Sequence, residues 1–217
     1  NEGMSAMFTM MNNARLGVAV QGLSQAERAF QTAVKHSKDR KQGRAQVKNG
    51  FGTIIDHADV RKNLLYMKAL TSVSRSLCLD TAMSIDLAKL SGSSFHQNRA
   101  AFLIPIAKAF STDNGCKVSD IGIQVHGGLG FIESSGVPQL FRDARITAIY
   151  EGTNGIQAID LVNRKLSDGG SAGFALMEEF VDTEKSCERT GILSNNSIQE
   201  FRTARLDLFN AFNWMVK

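Results

Sequence analysis

Proline occurs only twice in 217 residues, at Pro105 and Pro138, and this scarcity constrains the fold more than any other feature. A proline in a helix interior removes a hydrogen bond and clashes with the preceding turn, at a cost of about 3 kcal/mol. Long stretches without one favour long helices, and the apolar residues recur at helical spacing. Met4, Met7, Phe8, Met11, Arg15, Val18 and Ala19 share one face, which predicts a helix from 4 to about 37. Gly17 and Gly22 fall inside it. Each costs roughly 1 kcal/mol against alanine in a helix, so both are expected where another backbone packs close.

A second helix is predicted over 54–90, with Leu70, Val73 and Leu77 on its buried stripe and a stop at Gly92. A third runs from about 98 into the mid-120s, kinked or broken at Pro105 and ended by Gly127-Gly128-Leu129-Gly130. A short helix follows around 138–145, then Ile146-Thr147-Ala148-Ile149-Tyr150 as an extended connection. Thr153 or Asn154 caps a helix over about 155–166. Beyond the linker Ser167-Asp168-Gly169-Gly170-Ser171, two more stripes appear. Phe174, Met177, Phe180 and Val181 form one, and Ile198, Phe201, Leu208 and Phe212 the other. The pattern predicts an all-α chain: a four-helix up-and-down bundle over 1–166 and a helical extension over 167–217.

With 43% apolar residues the chain can build a real core. A net charge of +4 without a run of five like charges gives no nucleic-acid arm, though it suits an anionic ligand. Cys78, Cys116 and Cys187 stand far apart with no CxxC or Cys/His cluster, so no metal site is expected. No apolar run reaches the ~18–20 residues of a membrane span, and no signal peptide is visible. The chain opens Asn1-Glu2-Gly3 without an initiator methionine and reads as a fragment.

The chemistry-bearing candidates are few. In Tyr150-Glu151-Gly152-Thr153-Asn154-Gly155 a carboxylate precedes a helix start and is flanked by glycines. It serves either as a base in an apolar cleft or as a first-turn acid matched to the helix dipole. Gln124-Val125-His126-Gly127-Gly128-Leu129-Gly130 can expose backbone N–H groups to phosphate or simply end a helix. Arg15 lies on an apolar stripe, where it either braces an acidic or carbonyl-rich loop or reaches for water. Arg40 can grip phosphate in a fork geometry or stand solvated.

Four segments carry a resemblance. Ile149-Tyr150-Glu151-Gly152-Thr153-Asn154-Gly155-Ile156-Gln157 resembles the catalytic-loop signature of the acyl-CoA dehydrogenases. Gln124 to Phe131 is similar to their flavin-contact segment, and Asp39 to Arg44 to the loop after their first C-terminal-domain helix. Asn1 to Met4 resembles the junction with their middle β-domain. The matches keep the family's order and spacing from residue 1 to about 166. The tail resembles a longer subgroup with C-terminal extensions, the 3-methylmercaptopropionyl-CoA dehydrogenase-like proteins.

The resemblance implies α,β-dehydrogenation of an acyl-CoA thioester with FAD. Glu151 would be the base, its backbone N–H would help hold the thioester carbonyl, and Tyr150 and Gly152 would shape the acyl pocket. Thr153 would lie near the flavin's adenosine part. Arg40, Gln124, Gly127 and Gly128 would grip the flavin of a neighbouring subunit, so the implied assembly is a homodimer or homotetramer. Asn12 stands where many members bind the CoA portion through Asp, and Arg15 matches an arginine beneath the loop. The implied electron acceptor is an electron-transfer flavoprotein and the implied compartment the cytoplasm, or the mitochondrial matrix in a eukaryote. The loop after Arg40 lacks the aromatic that many members carry. The family's N-terminal helical and middle β-domains are not in this sequence, so the chain by itself is expected to be inactive. Competing readings are an acyl-CoA oxidase, a DNA-associated relative and a non-catalytic helical module. Residues 171–217 are net acidic, which speaks against DNA.

Overall fold

The structure, a computed structural model, describes residues 3–45 and 52–217, which are helical with turns and short connections. The side chains of Met4 and Phe8, and residues Asn1 and Glu2, lie outside the described residues. Helix α1 spans Gly3–Asp39, α2 Ala58–Ser91 and α3 Ser94–His126, and these three long helices form the body of the bundle. The short α4 (Gly128–Phe131) leads into α5 (Val137–Thr147), which completes the bundle against α1 and α3. Then come α6 (Asn154–Asp160), a π turn over Leu161–Lys165, and the hairpin α7 (Ser171–Thr190) and α8 (Asn195–Val216). No helix among the described residues is long and apolar enough to cross a membrane.

The α1 face that meets α3 is built of small residues: Ala19, Ala26, Ala29 and Ala33 are at most 2% exposed. Gly22 is required there. A Cβ on it would lie 2.7 Å from the backbone of Ser111 and Thr112, and one on Gly115 would lie 2.7 Å from Gly22 O. The expectation of close packing therefore holds at Gly22. It fails at Gly17, which is exposed with nothing within 4 Å of where a Cβ would stand.

The buried face of α2 matches the predicted one only in part: Leu70 and Leu77 pack against the core clusters. Val73 is 53% exposed, while Leu64, Met67, Thr71, Ser74, Cys78, Thr81 and Ser84 face inward. The hydroxyls of Thr71, Thr81 and Ser84 donate to the carbonyls of Met67, Leu77 and Asp80 at 2.8, 2.7 and 2.9 Å. Satisfied within the helix, they can be buried without further partners. Hydropathy spacing alone could not find this face.

Pro105 does not break the helix: α3 runs through it, with Phe102, Leu103, Ile104 and Pro105 itself buried. Burial of such side chains at about 1.5–3 kcal/mol each outweighs the proline penalty. The hairpin docks on the same stretch of α3. Phe212, 3% exposed, sits against Phe102 and Phe174 and over Gly170 and Gly173. Arg99 joins α3 to both neighbours, donating to Asp80 of α2 at 2.9 Å and to Glu179 of α7 through two nitrogens at 3.0 and 2.9 Å.

Candidate active site

The segment expected to be extended is instead the end of α5 and a tight turn. Ile149 N and Tyr150 N both donate to Ile146 O, and Asn154 N donates to Ala148 O, folding the chain back before α6. β-Branched residues suggested an extended connection, but these hydrogen bonds close locally. Thr153 caps α6, its side chain accepting from Ile156 N, so it rather than Asn154 is the cap.

At the apex stands Glu151, half-buried, with φ +55°, the one non-glycine residue at positive φ among the described residues. That conformation costs a residue with a Cβ about 1–2 kcal/mol, so the surroundings must hold it. They do so through the two carbonyls that follow. Gln157 Nε2 donates to Glu151 O at 3.2 Å and Gly152 O at 3.1 Å, and Lys108 Nζ donates to Gly152 O at 2.8 Å. Gly152 has φ +86°, and a Cβ there would come within 2.9 Å of Gln157 Nε2.

Asn154 ties the loop to α3. Its Oδ1 accepts from Lys108 Nζ at 2.9 Å, and its Nδ2 donates to Asp113 Oδ1 at 2.7 Å and Ala109 O at 3.3 Å. Sequence reasoning missed Lys108, which is wholly buried. The signal was its place in α3: Ile104, Ser111, Thr112 and Gly115 bracket it at helical spacing, and all are buried. Burial pulls the Lys108 ammonium down to about 8, with Arg15 acting in the same direction and Asp113 and Glu151 opposing.

Beneath α6, the alternatives for Arg15 resolve to a buried pair. Arg15 Nη1 meets Asp160 Oδ2 at 2.8 Å, with the two side chains 3% and 5% exposed. Asp160 Oδ1 pairs with Arg164 at 3.2 Å. Half-buried Asn12 offers Oδ1 to Arg15 at a weak 3.5 Å. The Tyr150 hydroxyl donates to Gln21 Oε1. Gln21 also lines a groove of about 370 Å³ with Val20, Ser24 and Ile146.

The phosphate-type candidates gather elsewhere. Arg40, Gln124, Gly127 and Gly128 line one pocket of about 740 Å³ with His36 and His126. Arg40 is exposed and makes a weak 3.3 Å hydrogen bond to Gln42. No atom lies within 4 Å of where a Cβ on Gly127 or Gly128 would stand, so this rim is open to a ligand. A guanidinium, an amide and an open glycine rim suit a pyrophosphate oxygen set. The rings of His36 and His126 stack at 4.3 Å, and His126 Nδ1 contacts Gly122 O at 2.7 Å. Burial, then the neighbouring His126 and Arg40, lowers the His36 pKa against the opposing pull of Asp39. Lys108 and Gln124 lie on one helix, roughly 24 Å apart at about 1.5 Å per residue. The loop and the pocket are thus separate in a single chain, and Thr153 stays with the loop.

Residues 1–166 match the family model described as the acyl-CoA dehydrogenase C-terminal domain. The chain belongs to the acyl-CoA dehydrogenase family. It is 42% identical to the 3-methylmercaptopropionyl-CoA dehydrogenase of Ruegeria pomeroyi, over 94% of this chain and 36% of that protein. It is 34% identical to a butyryl-CoA dehydrogenase of Syntrophomonas wolfei, over 76% of this chain and 28% of that protein. The chain thus spans about a third of the length of these curated relatives. Among solved structures, butyryl-CoA dehydrogenase from Megasphaera elsdenii superposes with a TM-score of 0.63 at 30% identity, over 76% of this chain and 39% of that one. Caenorhabditis elegans ACDH-11 reaches 0.76 at 20% identity over 99% of this chain and 38% of that one, a likeness of fold that includes the α7–α8 hairpin. Within this family, the chain holds a loop with one strained acid and a separate open pocket.

Proposed function

We propose that this domain supplies the base and part of the flavin site for α,β-dehydrogenation of an acyl-CoA thioester. One observation carries the reading. Glu151 holds a conformation that favours glycine, at a turn secured by a buried lysine and a buried glutamine. Strained residues held this way concentrate at functional sites. In the proposed reaction the Glu151 carboxylate takes the proton from the carbon next to the thioester carbonyl. The Glu151 N–H helps hold that carbonyl oxygen, and Tyr150 and Gly152 border the acyl group. Asn12 faces the CoA portion, and Arg15 holds the floor of the site through Asp160. FAD, when bound, supplies the acceptor for the hydride that leaves the next carbon.

The residues of the open pocket fit the anionic part of that cofactor. Arg40 contributes charge, Gln124 an amide, and Gly127 and Gly128 an accessible backbone, with Thr153 near its adenosine portion. Because pocket and loop lie far apart in one chain, the pocket would serve the flavin of a second copy, which calls for at least a homodimer. The acceptor for the enzyme's electrons is proposed to be an electron-transferring flavoprotein; a solved structure titled for the electron transferring flavoprotein of Acidaminococcus fermentans is 28% identical at TM-score 0.65 over 76% of this chain.

The test is Glu151→Gln in the full-length enzyme. Loss of kcat by at least about 10³-fold is expected, with flavin retained and acyl-CoA still bound. An unchanged rate would reduce Glu151 to a turn residue.

A further inference from the structure

We propose that Lys108 and Gln157 form a two-point clamp on the Gly152 carbonyl that sets the position of the Glu151 carboxylate, which makes Lys108 a positioning residue for the α-proton transfer. This rests on the reading of Glu151 as the base.

The argument begins with conformational freedom. A glutamate at φ +55° returns to an ordinary backbone well unless something opposes it. Such a return rotates φ by more than about 100° and carries the carboxylate away from any fixed substrate. Thr153 and α6 anchor the loop on its far side, and Ile146 O anchors it on the near side. Between them the peptide groups after Glu151 are fixed through their carbonyls alone. Gln157 holds both, and Lys108 holds the second.

Lys108 is ill suited to a merely filling role. It is 0% exposed, and an ammonium withdrawn from water is costly unless paired and hydrogen-bonded. A methionine would occupy much the same space without that cost. What the lysine adds is a donor at one point, 2.8 Å from Gly152 O and 2.9 Å from Asn154 Oδ1. Both acceptors belong to the loop or the first residue of α6. Asn154 is in turn fixed by Asp113 and Ala109 of α3. The acid is thereby referenced to α3, which packs against α1, α2 and α5. The ammonium also faces Asp113 on α3, Arg15 on α1 and Glu151 itself, and burial lowers its proton affinity against the pull of the two acids.

The experiment is Lys108→Met in the full-length, flavin-loaded enzyme. The expected result is a loss of about 10²-fold in kcat, the scale of a misplacement of about 1 Å, with KM changed much less. The isotope effect with an α-deuterated acyl-CoA should rise, because proton removal becomes slower relative to the other steps. Unchanged kcat and isotope effect would overturn the clamp. So would a loss of rate that follows loss of flavin in proportion, which is what a purely structural lysine gives. Should Lys108→Met fail to fold, Gln157→Met removes the other donor without touching a charge. A kcat-selective loss of about tenfold is expected there, and full activity would overturn the proposal. Glu151→Gln separates the two readings. If it is inactive while Lys108→Met is fully active, only the clamp falls; if it is active, the base assignment itself falls.

Discussion

Gly22 and Gly115 meet backbone to backbone where α1 crosses α3, close enough that a Cβ on either would lie 2.7 Å from main-chain atoms of the other helix. The crossing lies two turns along α3 from Lys108, so it sets the distance between the helix that bears the loop's anchor and the helix that bears Arg15. Gly115→Ala is expected to destabilise the enzyme by about 1–3 kcal/mol, even though alanine is the better helix former by roughly 1 kcal/mol. Gly17→Ala, with open space around it, should be neutral or stabilising. Urea unfolding of both variants checks this, and a stabilised Gly115→Ala would contradict the packing argument.

The buried Arg15–Asp160 pair leads to a different expectation. Arg15→Met takes from the buried Asp160 carboxylate its 2.8 Å partner, leaves it Arg164 at 3.2 Å, and should cost roughly 1.5–3 kcal/mol. The double variant Arg15→Met with Asp160→Leu removes both charges and should recover much of that loss. If the double variant were as unstable as the two single losses combined, the pair would not be the reason for the effect.

Lys108 makes stability depend on pH with a definite sign. Burial brings its folded value to about 8, below the ordinary 10.5 of the unfolded chain. Between those values the unfolded chain binds more protons, so this group's contribution to stability rises with pH across the window. Below about 8 the lysine is charged in both states and its penalty is fully present. Comparing urea midpoints at pH 7.5 and 10 for the unmodified enzyme and for Lys108→Met isolates the effect. The rise attributable to this residue should vanish in the variant.

Phe212 is the main apolar tie between α8 and the rest of the chain, in one cluster with Phe102, Leu103 and Leu166. Phe212→Ala is expected to cost about 3–5 kcal/mol at that junction. The bundle's own clusters, such as Ala26, Met67 and Val118, do not include it. Limited proteolysis should therefore cut first within 171–216 while residues before 166 stay protected. Simultaneous loss of the whole domain would show that hairpin and bundle unfold as one unit.

Much of the architecture was legible from spacing because proline scarcity and glycine stops mark helix ends directly. Gly92 closes α2 and Gly127 closes α3, both at positive φ. What spacing misjudged has physical causes. Pro105 was expected to kink or break the third helix, yet the helix continues through it with Phe102, Leu103 and Ile104 buried beside it. Val73 was placed inside because hydropathy cannot recognise Thr71 and Thr81 as core residues once their hydroxyls are satisfied by their own helix. The glycines and Glu151 of the loop stood out in the sequence. Lys108 did not, because its partners lie 44 and 46 residues away and form only after the chain has folded.

The docking of the hairpin has a practical consequence for anyone shortening this chain. The family match stops at residue 166, but Leu166 is itself 5% exposed and lies in the cluster that Phe212 completes. A version ending there would present Phe102, Leu103 and Leu166 to water as one sticky patch and would leave Arg99 without its Glu179 partner. The family model and foldability thus draw the domain's edge at different places, and expression trials should follow the second, keeping the chain through Val216.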